Sequence, residues 1–227
     1  MTAARVVSLV PSVTETLLAW GVIPVACTRF CEQPDLPHVG GTKDPDVAAI
    51  VELAPDLVVL CVEENRREDA DALTAAGIAT AALSIDTVAD VGPALAMLAG
   101  LVGAPAPAVE ALPPDPDPTV RAFVPIWKRP WMTMSGGTYG SSLLSSIGVA
   151  NVFAGAADRY PTVTLDEVRS REPDVVLAPS EPYPFAERHV PLFDGVAPVV
   201  LVDGQDLFWW GARTPAARER LRSSLSS

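Results

Sequence analysis

Short runs of β-branched and other apolar residues alternate along this chain with segments whose apolar positions recur at helical spacing. This alternation is typical of parallel sheets covered by helices, so it predicts an α/β fold. In the first part of the chain the predicted strands are 5–10, 22–28, 57–62 and 80–83, and the predicted helices are 12–20, 46–53 and 66–76. In the last part the predicted strands are 122–126, 131–135, 175–178 and 199–202, and the predicted helices are 141–147, 165–171 and 215–225.

Two sequence repeats indicate that these two parts are related. The sequence ELAPDLVVL at residues 52–60 returns as REPDVVL at residues 171–177. The sequence TETLLAWGV at residues 14–22 has a counterpart, YGSSLLSSIGV, at residues 139–149. We therefore expect two related Rossmann-like lobes with parallel sheets and a cleft between them, where a small ligand usually binds.

The segment between the repeats predicts a helix followed by a stiff connection. Residues 87–102 carry apolar side chains at helical spacing and should pack as one interlobe helix. Six prolines within residues 104–118 cannot continue that helix, because each fixes φ and lacks a backbone donor. The predicted domains are an N-terminal lobe (1–86), the interlobe helix with its proline-rich linker (87–118) and a C-terminal lobe (119–227).

Composition excludes two classes of partner. The net charge is −12, with 28 acidic against 16 basic residues, which argues against binding to a nucleic acid backbone. No apolar stretch reaches the roughly 20 residues that a membrane helix needs, so we expect no membrane insertion. Three cysteines suit a reducing compartment, and polar residues and a proline after residue 10 interrupt any secretory signal, so the sequence predicts a cytoplasmic protein.

Candidate ligand-binding residues follow the predicted strands, because ligands of open parallel sheets lie beyond the carboxyl ends of the strands. In the first lobe the candidates are Ser12, Thr28, Arg29, Phe30, Cys31, Thr42, Lys43, Glu63, Glu64 and Asn65. In the second lobe they are Trp127, Tyr139, Tyr160, Ser180, Glu181, Tyr183, Asp203, Trp209 and Arg213. The cations would pair with carboxylate, phosphate or amide oxygens, and the aromatic rings would cover flat apolar surface.

Several of these residues also have a structural interpretation. Ser12 fits a strand-to-helix turn, and Glu63 and Glu64 fit the cap of the helix that follows them. Of the neighbouring Trp209 and Trp210, we expect one to be a core residue.

The sequence assigns no catalytic residue, and its metal candidates are weak. Cys27, Cys31 and His38 have the types of metal ligands, but Cys27 lies in a predicted strand and is expected to point away from a site containing Cys31. His189 fits a surface position at the start of a helix or a ligand to a bound metal centre, and it is also a candidate base for a Cys31 nucleophile.

At the level of motifs the chain resembles the helical-backbone (class III) substrate-binding proteins. The resemblance rests on SLVPSVTE at residues 8–15, the two Pro-Asp runs and the interlobe helix, and it covers essentially the whole chain. The motifs TRFC (28–31), GGTK (40–43), EEN (63–65), IWK (126–128), RYP (159–161), SEPYPF (180–185) and WWG (209–211) are most similar to a cobalamin-binding-like group that usually lacks a signal peptide. This resemblance implies a binding protein that holds a corrinoid, another metal chelate or a similar compact ligand, with cobalamin among the candidates.

The chain departs from the family at two places. The resemblance implies a carboxylate on each lobe that docks to an importer permease, and these positions are Ala48 and Asp166, so permease docking is doubtful. Relatives usually have a longer interlobe helix, so the extent of lobe closure is left open. Two further hypotheses remain: an enzyme on this fold that uses Glu63, Glu64, Asp203 or Cys31, and an importer component whose signal has been removed.

Overall fold

The computed structural model describes residues 5–105 and 115–225, and the structural statements below concern these residues. The central part of the proline-rich linker, residues 106–114, lies outside them. The described residues form two compact units. The first contains residues 5–85, 90–105 and 210–212, and the second contains residues 86–89, 115–209 and 213–225. The domain boundaries at 86 and 118 stay a prediction from the sequence.

The first unit is built on a four-stranded parallel sheet in the order β2-β1-β3-β4. Its elements are β1 (Val6–Ser8), α1 (Pro11–Ala19), β2 (Ala26–Cys27), α2 (Val47–Glu52), β3 (Leu57–Cys61), α3 (Arg67–Ala75) and β4 (Thr80–Leu83), followed by α4 (Val88–Val102). All five residues of β3 are buried, as expected for a central parallel strand covered on both faces. The predicted interlobe helix is thus confirmed to within one residue.

The second unit contains a four-stranded parallel sheet in the order β10-β9-β5-β8 and a two-stranded antiparallel hairpin. Its elements are β5 (Val120–Phe123), β6 (Trp127–Lys128), β7 (Trp131–Met132), α5 (Tyr139–Ser145), β8 (Val149–Asn151), α6 (Leu165–Ser170), β9 (Val175–Pro179), a 3₁₀ helix (Glu187–Phe193), β10 (Val199–Val202), α7 (Gly204–Phe208) and α8 (Thr214–Ser224). A cluster of phenylalanines and valines forms its core. None of the helices in the described ranges has both the length and the apolar composition needed to cross a bilayer.

The two sheets have the same topology. When β5, β8, β9 and β10 are matched with β1, β2, β3 and β4, the strand orders become identical. The two helices that precede the Pro-Asp runs, α2 and α6, also have the same length of six residues. The repeat predicted from the sequence is therefore confirmed as two units with related folds.

A hydrogen-bonded clip at the Pro-Asp run of the first unit ties β1 to the start of β3. The backbone N–H of Arg5 donates to Asp56 Oδ2 at 2.7 Å. Its guanidinium donates to the carbonyl oxygens of Leu53 at 2.7 Å and of Ala54 at 3.3 Å. These bonds satisfy carbonyl groups at the end of α2, which have no partner within the helix.

The second unit repeats this clip with the same residue types, an arginine and an aspartate. The backbone N–H of Arg121 donates to Asp174 Oδ2 at 2.8 Å, and its guanidinium donates to the carbonyl oxygens of Arg171 at 2.6 Å and of Glu172 at 3.3 Å. Glu172 has φ of 47°, and the corresponding Ala54 has φ of 45°. The repeated Pro-Asp sequence thus marks one local structure that occurs twice.

The structure corrects the predicted secondary structure of the second unit at three places. Residues 131–135 are not a strand of the parallel sheet, because Trp131 and Met132 pair only with the hairpin strand β6 among the named strands. The parallel strand at this place in the topology is β8, which follows Gly148 in the left-handed region at φ of 82°. Helix α7 between β10 and Trp209 was not predicted.

Candidate functional site

Three loops of the first unit come together beyond the carboxyl ends of β2 and β3. The N–H of Arg29 donates to Gly40 O at 2.9 Å, and its Nη2 donates to both carboxylate oxygens of Asp44 at 3.0 Å. A Cβ at Gly41 would lie 2.8 Å from Arg29 Nη2, so a larger residue there would displace the end of the Arg29 side chain. The loops at residues 28–31 and 40–44, both predicted as site segments, are thus in direct contact.

The third loop, residues 62–65, joins the other two through Lys43 and Asn65. Lys43 Nζ donates to the backbone carbonyl of Glu63 at 2.8 Å. Asn65 is buried, its Nδ2 donates to Thr42 O at 2.9 Å and to Leu9 O at 3.2 Å, and its Oδ1 accepts from the N–H of Cys61 at 2.7 Å. Asn65 therefore holds the loops in place with its whole amide group.

Phe30 is the aromatic residue that these loops expose. Its side chain is 50% exposed, and the Arg29 guanidinium lies over the ring at 4.8 Å. Glu63 and Glu64 are half-buried and precede α3, but the N-cap of that helix is Arg66 and no side chain caps it by a hydrogen bond, so the capping interpretation is not supported. The first unit therefore presents an aromatic ring together with cationic groups at this edge of its sheet.

Ser12 is buried at the start of α1, and its Oγ makes no hydrogen bond with any of the described residues. One turn later Thr16 packs against residues 210–212, since its Oγ1 accepts from the N–H of Ala212 at 3.1 Å. Gly211 has φ of 123°, and a Cβ there would collide with Thr16 Oγ1. This close contact places residues 210–212 in the first unit.

Cys31 is buried and contacts two threonine hydroxyls. Its sulfur lies 3.2 Å from Thr14 Oγ1 and 3.2 Å from Thr28 Oγ1. Cys27, Thr28 and Cys31 are all buried, whereas Arg29 and Phe30 between them are exposed.

In the second unit, Ser180, Glu181 and Asp203 meet beyond the carboxyl ends of β9 and β10. Gly204 N donates to Ser180 Oγ at 2.9 Å, and Asp203 Oδ1 accepts from the N–H of Gln205 at 2.9 Å as the N-cap of α7. A Cβ at Gly204 would lie 2.5 Å from the backbone nitrogen of Glu181. The sequence-predicted grouping of these three residues is therefore present in the structure.

Trp127 and Tyr183 form an aromatic edge on the second unit. Trp127 is 45% exposed, and its ring centroid lies 5.6 Å from that of Tyr183 in an edge-to-face arrangement. Tyr183 in turn contacts the rings of Phe185 at 4.7 Å and His189 at 5.5 Å. One side of the cluster is therefore buried and the other, at Trp127, faces solvent.

His189 belongs to the interior of this cluster. Its side chain is buried, and its Nδ1 accepts from the N–H of Ala186 at 3.1 Å. Burial, with the nearby charges of Arg188 and Lys128, lowers the pKa of His189. The surface position predicted for His189 is wrong, because its ring packs against Tyr183 and Phe185.

Arg213 and Trp209 belong to a corner between α7 and α8 that is organised by a residue missed from the sequence. The Arg213 guanidinium lies 5.2 Å from the centre of the Trp209 ring, and it donates to Gln205 Oε1 at 3.0 Å and to Asp206 Oδ1 at 3.3 Å. The carboxylate of Asp206, 3% exposed, also accepts two hydrogen bonds from Arg220. The spacing of one acidic residue seven and fourteen positions before two arginines was the available sequence signal.

The remaining aromatic candidates differ in burial. Tyr139 is buried, and its hydroxyl lies 2.9 Å from Thr214 Oγ1, so it does not offer a free surface. Tyr160 is exposed and lies 6.0 Å from the Arg159 guanidinium. Trp210 is buried whereas Trp209 is half-buried, which confirms that the pair contains one core residue.

The weak metal candidates do not assemble into a metal site. Within residues 5–105 and 115–225, no three His, Cys, Asp or Glu side chains are grouped so as to hold a metal ion. His38 is exposed, and its Nε2 lies 3.0 Å from the carbonyl oxygen of Gln33. The proposed set of Cys27, Cys31 and His38 is therefore not formed.

Comparison with known proteins identifies relatives of this chain. No family model matches it. It is 26% identical over 210 residues to the vitamin B12-binding protein of Vibrio parahaemolyticus, covering 85% of this chain and 74% of that protein. It is 28% identical over 193 residues to the vitamin B12-binding protein of Yersinia pestis, covering 77% of this chain and 69% of that protein. The chain is a homologue of the cobalamin-binding-like, helical-backbone substrate-binding proteins.

Solved structures show the same fold. The periplasmic vitamin B12-binding protein of Vibrio cholerae matches 99% of this chain with a TM-score of 0.77 at 19% identity, and 97% of that chain is covered. A periplasmic haem-binding protein of Pseudomonas aeruginosa matches 98% of this chain with a TM-score of 0.80 at 18% identity, and 92% of that chain is covered. The predicted class of two parallel-sheet α/β lobes is confirmed.

Proposed function

We propose that this chain is a binding protein for a compact metal chelate, either a corrinoid or a haem. The observation that carries the proposal is its similarity, over 77–85% of its length, to proteins that bind vitamin B12. The haem-binding proteins among its structural neighbours extend the ligand class to a second flat macrocycle. The chain's own residues act by binding and orienting the ligand, and no catalytic step is proposed.

The loops at the carboxyl edge of each sheet support this ligand class. Phe30 and Trp127 expose aromatic surface that suits the face of a macrocycle. Lys43 is an exposed residue of the adjoining loop 40–44, and its amino group suits carboxylate, phosphate or amide oxygens at the periphery of such a ligand. The position of the ligand between the lobes, expected from the sequence, stays a prediction.

Binding titrations with cyanocobalamin and with haemin test the proposal. We expect saturable binding of one of these chelates, and a decrease in affinity of about fivefold or more in Phe30→Ala and in Trp127→Ala, because each loses stacking area. Ile23→Ala, which truncates a 70% exposed apolar side chain away from the loops described above, is the matched control. Absence of binding of both chelates to the wild-type protein would refute the proposal, and unchanged affinity in both aromatic variants would remove these residues from the site.

We further propose that the protein acts in the cytoplasm without an importer permease. Its three cysteines are all free and buried, which suits a reducing compartment. Ala48 and Asp166 are exposed second residues of the equivalent helices α2 and α6, so one of the two carboxylates implied by the family resemblance is missing.

Two measurements test this role. Fractionation of cells that express the complete natural gene with a C-terminal tag should place the protein in the cytoplasm, and recovery from the periplasm would contradict this. The wild-type protein should not stimulate the ATPase of a reconstituted cobalamin permease, whereas an exported relative serves as the positive control. Stimulation comparable to that control would overturn the proposal.

A further inference from the structure

Helix α1 begins with backbone donors that have no acceptor inside the helix. Val10 is its N-cap, Pro11 supplies no backbone N–H, and Thr14 N donates to Val10 O at 3.0 Å. The N–H groups of Ser12 and Val13 lie in the first turn and therefore lack an intrahelical acceptor. No side chain in the part of the chain that the structure describes caps this end by a hydrogen bond. The helix has nine residues, so its N-terminus carries the positive end of a helix dipole.

The Ser12 hydroxyl is a third donor at this end. It is buried, and it bonds to none of the residues in 5–105 and 115–225. The other hydroxyl groups of this segment are satisfied, because Ser8 and Thr14 each donate to Val10 O at 3.1 Å and Thr16 donates to Ser12 O at 2.8 Å. Side chains of a helix tilt toward its N-terminus, so the Ser12 hydroxyl lies on the side of the two N–H groups.

Burial makes these donors costly while they have no acceptor. Ser12 is 2% exposed and Val13 is fully buried, so bulk water does not satisfy them. A buried polar group without a partner destabilises the fold, and a ligand that supplies the acceptor is one physical explanation for such a group. Two N–H groups and a hydroxyl at a helix N-terminus suit the oxygens of a carboxylate or a phosphate.

A neighbouring loop adds a cation near this end. Asn65 Nδ2 donates to both Leu9 O at 3.2 Å and Thr42 O at 2.9 Å, so the loop 40–44 lies next to the segment that leads into α1. Lys43 follows Thr42 in this loop and is exposed, and its amino group donates to Glu63 O at 2.8 Å. The first turn of α1 contains no acidic residue. The charges closest in sequence to this end therefore favour an anion.

We propose that the N-terminus of α1 is an oxyanion site, formed by the N–H groups of Ser12 and Val13 and by the Ser12 hydroxyl. It takes a carboxylate or phosphate group of the ligand. This assignment to the ligand rests on the proposed function, since haemin carries carboxylates and cyanocobalamin carries a phosphodiester. Because Ser12 is 2% exposed, the residues that cover it must move when the oxyanion enters, and this requirement lowers the affinity.

A titration of the whole protein with inorganic phosphate tests the site without any chelate. The backbone amide signals are followed by NMR while phosphate replaces chloride at constant ionic strength. We expect saturable changes in the signals of Ser12 and Val13. A parallel titration with acetate shows whether the site prefers a phosphate or a carboxylate. The proposal is overturned if neither anion moves these two signals, or if they change only linearly, as with an adventitious ion only.

Ser12→Ala distinguishes a ligand-binding hydroxyl from a structural one. The variant should bind the preferred anion about fivefold more weakly or worse, because one donor is lost. Its melting temperature without the anion should be unchanged or higher, because a buried group without a partner is removed. Ser8→Ala is the matched control: its hydroxyl bonds to Val10 O, so this variant should melt at a lower temperature and keep the wild-type anion affinity. Wild-type affinity in Ser12→Ala would overturn the proposal.

Titrations with the two chelates separate this site from the proposed function. Saturation with the chelate that binds should abolish the response of Ser12 and Val13 to phosphate, and a retained response would overturn the assignment of the site to the ligand. Phosphate binding without binding of either chelate would refute the proposed function and leave the oxyanion site intact. Chelate binding by a protein whose two signals ignore both anions would refute the oxyanion site alone. The wild-type titrations decide this even where a variant does not fold.

Discussion

Asp206 is a buried carboxylate whose charge is balanced by Arg213 and Arg220. Its position fixes Arg213 against Trp209, so Arg213 is a structural residue as well as a candidate ligand contact. Removal of Arg213 would leave Asp206 with a single, half-exposed partner, and a loss of stability is therefore expected beside any loss of affinity.

We predict that Asp206→Asn lowers the free energy of unfolding by about 2–3 kcal/mol, because it leaves two arginines without their buried partner. Glu219→Gln, on the same helix as Arg220, removes an exposed pair with Arg222 and should cost less than about 1 kcal/mol. Urea unfolding of both variants measures the difference. Equal losses in the free energy of unfolding for the two variants would show that the buried ion pairs of Asp206 stabilise the protein no more than an exposed pair does.

Tyr139 is expected to lower the free energy of unfolding as the pH rises into the alkaline range. Burial raises the pKa of its phenol to about 12 from an ordinary value of 10.0. Between these two values the unfolded chain loses the phenol proton while the folded chain retains it, so the stability falls as the pH rises. The two-unit shift corresponds to a loss of about 2–3 kcal/mol across this range.

Tyr139→Phe should abolish this part of the alkaline loss. At neutral pH the variant should be less stable by about 1 kcal/mol, because the hydrogen bond between the Tyr139 and Thr214 hydroxyls is lost. Thermal unfolding at pH 8, 10 and 11.5 compares it with the wild type and with Tyr160→Phe, which removes an exposed phenol. Parallel pH profiles for the wild type and Tyr139→Phe would contradict the prediction.

At the scale of single residues, the sequence predicted that the candidate residues lie at the carboxyl ends of the strands, but it did not predict which of their side chains are buried. Phe30 and Trp127 were chosen because they follow strands, and the structure exposes both. Tyr139 and Asn65 were chosen on the same argument and are buried. A loop at a strand end contains both interior and exposed side chains, and their orientation depends on partners distant in sequence, such as Thr214 and Leu9.

At the scale of elements, the contact between Gly204 and Glu181 joins the ends of β9 and β10. The backbone nitrogen and oxygen of Glu181 would lie 2.5 Å and 2.8 Å from a Cβ at position 204. Neither group is the end of a flexible side chain, so a methyl group can be accommodated only if the two loops separate. The position of Ser180, Glu181 and Asp203 therefore depends on one glycine.

Gly204→Ala is expected to lower the free energy of unfolding by about 2–3 kcal/mol through this overpacking. Gly155→Ala is the matched control, since a Cβ there would meet nothing within 4 Å, and its effect should stay within about 0.5 kcal/mol. Denaturant unfolding of the two variants makes the comparison. An unchanged free energy of unfolding in Gly204→Ala would show that the two loops are not tightly packed against each other.

Long periodic elements were predictable, and short ones were not. The helix at Val88–Val102 and strands such as Leu57–Cys61 were identified because their apolar pattern is unambiguous. The strand at Val149–Asn151 is too short to show a period, although the repeat placed Gly148 before it. The helix Gly204–Phe208 is one short turn capped by Asp203. The aromatic residues at its end are of a type common in strands, so the sequence does not indicate a helix there.

At the scale of the whole molecule, the repeated topology rests on the same clip in both units. Arg5 and Arg121 make equivalent sets of hydrogen bonds, and they share no partner. Each guanidinium satisfies carbonyl groups at the end of a helix, which is worth about 1 kcal/mol in exposed positions. The two contributions should therefore be independent.

Arg5→Ala and Arg121→Ala should each lower the stability by about 1 kcal/mol, and the double variant should show the sum within about 0.5 kcal/mol. Arg67→Ala, which removes a 90% exposed arginine from α3, should have an effect below about 0.5 kcal/mol. Calorimetric unfolding of the wild type and these four variants provides the test. A double variant much less stable than the sum would show that the clips are energetically coupled.

The clip also bears on the ancestry of the chain. Its acceptors are main-chain carbonyl oxygens, so the residues that supply them can change freely, as Leu53 and Arg171 have done, while the Pro-Asp pair is kept in both copies. The arginine and the Pro-Asp pair are thus the features that the two copies share, whereas the residues that supply the carbonyl groups differ. In chains that descend from the same gene duplication, these two features should remain recognisable after overall identity between the halves has disappeared.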